Sequence, residues 1–109
     1  MKVANRIKAN DEFAVTVKKG RTLRSDSYLI HFLNNDKNIC RVGISVSKKL
    51  GNAVTRNRIK RQIRAMCDSL LNYEIHAIDI VIIVKEGFLN KEFSNNRDEL
   101  EKLFKEIGL

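Results

Sequence analysis

Proline and tryptophan are absent from this 109-residue chain, and aromatic residues make up only 6% of it. The apolar stock is mainly Ile, Leu and Val, which suits a small sheet packed on helices. Cysteine is nearly absent as well. Cys40 and Cys67 form no CxxC pair and join no His/Cys cluster. Both lie among apolar neighbours and read as reduced, buried thiols. No apolar run approaches the roughly 18 residues of a membrane span. Asn5, Arg6 and Lys8 interrupt any signal-peptide pattern. A soluble, reducing, cytoplasmic setting is therefore expected. Asp68, Glu74, Asp79 and Glu86 are scattered, without the Asp-x-Asp or Glu-x-Asp spacing of a paired-metal nuclease. No repeat, linker or low-complexity tract breaks the chain. A hydrophobic content of 43% argues against a wholly disordered basic tail, and the length suits one domain, 1–109.

Acid is missing where base is densest. Residues 48–64 carry seven cations (Lys48, Lys49, Arg56, Arg58, Lys60, Arg61, Arg64) and no carboxylate, within a net charge of +8. Residues 1–24 add +5, residues 25–47 are neutral, and residues 65–109 carry −4. Cations packed this closely repel one another unless a polyanion neutralises them, and the distribution predicts one basic face. Asn52 and Asn57 sit among them. Amides suit base edges and sugar hydroxyls, while the basic loop before a helix start favours phosphate.

Asn10 reads as the N-cap of a first helix over 10–19, with Asp11 and Glu12 in the first turn, Lys18 and Lys19 in the last, and Gly20 as a C′ stop. Residues 28–33 and 39–47 read as two strands joined by the turn signal of 34–38, predicting a hairpin. Gly43 within the second marks a bulge or a close backbone approach, and 21–25 could add a short edge strand. A long helix follows from 54 or 55 to 71, with Ile59, Ile63, Met66, Cys67 and Leu70 as its buried stripe. The β-branched run 78–84 predicts a central strand buried on both faces. Ser94 opens a last helix with Leu100, Leu103, Phe104 and Ile107 as its stripe and Gly108 as its stop. The order describes an α+β fold, one small sheet with three helices. On residue pattern alone, Phe13 and Val17 belong to the core of the first helix. His31, with no visible partner, fits a surface or cleft lining better than a general acid.

The run 41–64, Arg-Val-Gly-Ile-Ser-Val-Ser-Lys-Lys-Leu-Gly-Asn-Ala-Val-Thr-Arg-Asn-Arg-Ile-Lys-Arg-Gln-Ile-Arg, resembles the signature of the bacterial ribonuclease P protein subunit, whose "RNR" motif matches Arg56-Asn57-Arg58. Asn5-Arg6-Ile7 and Asp11-Glu12-Phe13 extend the resemblance to the front of the chain. It implies the order α-β-β-β-α-β-α, about four strands in one sheet, and a left-handed crossover around the basic helix, as in the second domain of ribosomal protein S5. The general rule would give a right-handed one. It also implies a large catalytic RNA as partner, one monomeric protein per RNA, and precursor tRNA as substrate. The RNA, with Mg²⁺, removes the 5′ leader, and the protein carries no catalytic residue or tightly bound cofactor of its own. Carried over by position, Lys48, Lys49, Asn52, Arg56, Asn57, Arg58, Lys60, Arg61 and Arg64 bind RNA. Phe13 lines a cleft for the leader. Val17 and His31 occupy cleft positions where relatives often place aromatics. A generic RNA- or ribosome-binding module is the competing reading. A sequence-specific DNA binder is weaker, because the basic helix lacks a helix-turn-helix partner.

Overall fold

The computed structural model describes residues 1–109. Helix α1 spans Asn10–Lys19, β1 Arg21–Arg24, β2 Tyr28–Asn34, β3 Arg41–Ser45, α2 Ala53–Leu70, β4 Ile78–Val84 and α3 Phe93–Ile107. Short 3-10 turns cover Val3–Asn5, Lys48–Leu50 and Glu86–Asn90. The element order is the expected one.

The four strands form one sheet in the order β1-β2-β4-β3. β4 holds the centre, antiparallel to β2 and parallel to β3, and every residue of it except Ile83 is buried. This corrects the predicted hairpin, because β2 and β3 do not pair. The turn at 34–38 reverses the chain whether its flanking strands touch or straddle a third. A strand apolar on both sides gains most burial between neighbours, so β4 enters the gap. α2 thereby becomes the crossover between adjacent parallel strands.

One face of the sheet presents Tyr28, Ile30, Val42, Ile80 and Ile82 to Ile59, Ile63, Met66 and Cys67 of α2 and to Leu100, Leu103 and Phe104 of α3, in a single core cluster. Each such side chain contributes about 1.5–3 kcal/mol when fully withdrawn from water. Cys40 and Cys67 are free and buried in it. Burial, and then the charge of Asp79, pushes the Cys40 thiol up to about 12.

The opposite face carries α1. Strand register lays three rows across this face: Leu33–Asp79–Arg41, His31–Val81–Gly43 and Leu29–Ile83–Ser45. α1 is pinned at the first two. Arg41 reaches Glu12 of α1 and Asp79 of β4, each at 2.6 Å. Asn35 Nδ2 also donates to Asp79 Oδ1 at 2.7 Å. The third row stays half-buried and open.

α1 and β4 keep the expected bounds, 10–19 and 78–84, while caps and the other element ends depart by one or two residues. Ala9, not Asn10, is the N-cap of α1, and its extended backbone leaves the first turn to Asp11, whose Oδ1 accepts from the Glu12 N–H at 3.0 Å. Gly20 ends α1 at φ −72°, outside the left-handed region. Its lack of a side chain is required by space instead, since a Cβ would lie 2.4 Å from the Thr16 carbonyl oxygen and 2.8 Å from that of Phe32. α3 starts at Phe93 and stops, as expected, at a left-handed Gly108 with φ 99°. No helix is long and apolar enough to cross a membrane.

Candidate nucleic-acid interface

Two local devices set the angle of the basic helix. Gly51 adopts φ 146°, a region other residues rarely enter, and turns the chain after Lys48–Leu50. Asn52 then caps α2, its Oδ1 accepting from the Thr55 N–H at 2.9 Å. Asn52 was expected among the RNA-binding residues, and its side-chain oxygen is here committed to the helix start.

At 100° per residue, Arg56, Lys60 and Arg64 form one row four residues apart, half-buried on one flank of the buried stripe. Asn57 and Arg61 form the next row outward, and Arg58 projects from the far side; all three are exposed. Lys48 and Lys49 stand exposed in the turn ahead. None of these seven cations joins an ion pair. The acids that do form ion pairs serve Arg41, Lys91, Arg97 and the terminal ammonium instead. Arg56 Nε is shut away from solvent with no acceptor at all. An interior donor left unpaired costs about 1–3 kcal/mol unless a ligand supplies the acceptor.

A cleft adjoins this helix across β3. Phe13 and Val17 lie on the side of α1 that faces the open row, both half-buried. The Phe13 ring rests on Gly43, where an added Cβ would sit 3.0 Å from two ring carbons. Gly43 is thus the close approach that its place in a strand suggested. His31 is half-buried on the same sheet face, and it has a partner that sequence reading missed. Its Nδ1 lies 3.1 Å from Thr22 Oγ1 on β1, its register neighbour. Burial, followed by the nearby Arg24, lowers its pKa, so the ring is neutral at pH 7. Thr22, Leu29, Ser45 and Ile83 complete the walls and floor. Residue pattern alone pointed to Gly43 as a close approach and to His31 as surface or cleft lining, whereas Phe13 and Val17 entered the cleft only through the family resemblance. No three His, Cys, Asp or Glu side chains converge anywhere in the chain.

The structure thus assembles a basic crossover helix, an unpaired cationic row and a one-aromatic cleft beside it. Residues 1–108 match the Ribonuclease P family model. The chain belongs to the ribonuclease P protein family. It is 45% identical over 104 residues to the ribonuclease P protein component of Mesoplasma florum, covering 94% of each chain. Against that of Staphylococcus haemolyticus it is 47% identical over 81 residues, covering 74% of this chain and 66% of the relative. The solved ribonuclease P protein of Staphylococcus aureus superposes with a TM-score of 0.85 at 37% identity, covering 93% of both chains. That of Thermotoga maritima gives a TM-score of 0.80 at 28% identity, covering 93% of this chain and 96% of the other. Ribonuclease P proteins are the protein subunits of a ribonucleoprotein endoribonuclease that processes tRNA, so the partner of this fold is the ribonuclease P RNA.

Proposed function

We propose that this chain, acting as one domain and as a monomer on each RNA, binds the ribonuclease P RNA through Lys48, Lys49, Asn52, Arg56, Asn57, Arg58, Lys60, Arg61 and Arg64. It holds the 5′ leader of precursor tRNA in the cleft of Phe13, Val17 and His31. Its work is to favour leader-bearing substrate over mature product in the cytoplasm. The observation that carries this reading is the absence of any protein counter-charge for the seven cations of 48–64. Phosphates neutralise such a surface, Arg forking onto them and Lys contributing a point charge. Phe13 offers a ring face for one leader base, worth about 1–3 kcal/mol. Hydrolysis with Mg²⁺ belongs to the RNA. This chain gathers no carboxylate cluster suited to hold the ion.

The test is leader cleavage of a precursor tRNA at low Mg²⁺ with protein, bacterial ribonuclease P RNA, or both. Cleavage far faster with both than with either establishes the role. Cleavage by protein alone overturns it. No stimulation reduces the chain to a generic RNA-binding module. Within the active complex, Phe13→Ala reduces the preference for precursor over mature tRNA, and equal losses on both refute the cleft assignment.

A further inference from the structure

The basic surface does not end at α2. Arg6 pairs in parallel with Val42, and the Ile7 N–H donates to the Val42 carbonyl at 3.1 Å, so the segment before α1 lies fixed along the free edge of β3. Between that segment and α2 run two adjoining grooves that share Ile7, Ile44 and Lys60. One, of about 110 Å³, is bordered by Arg6 and Arg64. The other, of about 330 Å³, is bordered by Lys8 and reaches Ser45 and Phe13. No carboxylate lines either groove. Arg6, Lys8, Lys60 and Arg64 take part in no ion pair. Four cations from two segments therefore line one channel that holds no carboxylate, and the channel opens onto the ring that marks the cleft.

We propose that Arg6 and Lys8, facing Lys60 and Arg64, form a phosphate track that carries the backbone of the 5′ leader from the basic helix into the Phe13 cleft. The inference rests on the leader reading given above. A linear polyanion fits better than a compact one, because the cations are strung along a channel instead of converging on a point. Single-stranded RNA supplies the rest of the match, with phosphates for the cationic walls and a base for the aromatic at the exit. The leader is the strand chosen because Phe13 and Lys60 border the same groove.

The test uses the reconstituted holoenzyme with an Arg6→Gln/Lys8→Gln double variant, measuring binding of precursor and mature tRNA across a salt series. Precursor binding weakens about tenfold, and its log–log salt slope becomes shallower by about 1.4, the value for two single-strand phosphates. Mature tRNA binding stays unchanged. An Arg6→Lys/Lys8→Arg variant, with charge and backbone pairing kept, retains precursor affinity. Equal losses on precursor and mature tRNA overturn the track and assign these cations to another RNA surface. No loss, with Phe13→Ala still reducing leader preference, overturns the track alone. No effect from either variant overturns the cleft reading and the track with it.

Discussion

Gly43 and Phe13 form the smallest unit on which the cleft depends. A methyl group at 43 meets two ring carbons at 3.0 Å, so the ring must tilt from its seat. Gly43→Ala is therefore expected to fold with a Tm only a few degrees lower while losing preference for leader-bearing tRNA nearly as fully as Phe13→Ala. Competition binding between precursor and mature tRNA measures it. The neighbouring Val17 is half-buried on the same helix side and offers no ring. Val17→Phe adds a second stacking surface and should tighten precursor binding by about 1–3 kcal/mol with mature tRNA unaffected. Thr22 and His31 make a polar third wall. Protonated or not, His31 keeps Nε2 as its one ring nitrogen without a partner.

At the scale of elements, α2 carries two kinds of information in one stretch of sequence. Its apolar stripe and its cations were both legible, because 3.6-residue periodicity and charge are local properties. The cap was not separable from the binding role: Asn52 reads as a ligand by type, and by geometry its Oδ1 caps the helix while Nδ2 makes no bond within the chain. Asn52→Ala should cost about 1 kcal/mol of stability, and Asn52→Asp should restore most of it. Chemical denaturation checks this independently of RNA. Strand pairing was the least legible feature. The turn at 34–38 and the alternation of 28–33 are the same in a hairpin as in a sheet whose third member arrives from residue 78, so only the two-sided apolarity of 78–84 pointed to the centre. The meeting of Arg6 and Lys8 with Lys60 and Arg64 had no sequence signal, since it depends on tertiary contacts: the bridge from Arg6 to Val42 and the bond from Asn5 Nδ2 to the Cys40 carbonyl at 3.0 Å.

Over the whole molecule, charge is divided by function. Glu12, Asp79, Asp26, Glu99 and Asp68 hold elements together, and the cations of the crossover are left free. One clamp fastens α3 to the β1–β2 turn. Glu99 accepts from Ser25 Oγ, from the Ser27 N–H at 2.7 Å and from Lys91 Nζ at 2.9 Å. Beside it the Tyr28 hydroxyl donates to the Asn96 carbonyl at 2.8 Å. Burial alone would raise the Glu99 carboxyl, but the hydrogen bonds from Lys91, Ser25 and Ser27 outweigh it and hold the group at about 2, below its ordinary 4.5. With the folded value below the unfolded one, the clamp is complete above the unfolded value and fades as pH falls through the folded one. Glu99→Gln should lose about 2 kcal/mol at pH 7, and its deficit against the parent should shrink steadily between pH ~4.5 and ~2. Thermal melts across that range measure it.

The place of β4 between β2 and β3 also dictates when the sheet can exist. Until residues 78–84 are available, neither β2 nor β3 has its inner neighbour, and the strand that joins them must wait for the crossover helix to swing across. Nucleation is therefore long-range and late: the chain must close a loop through its most self-repelling segment before any central pairing rewards it. Refolding should be slow for so small a protein. Multivalent anions such as sulfate should speed the folding limb of the chevron by screening the crossover, while leaving the unfolding limb less affected. On a ribosome, the basic run 48–64 would emerge before the strand that closes the sheet beneath it.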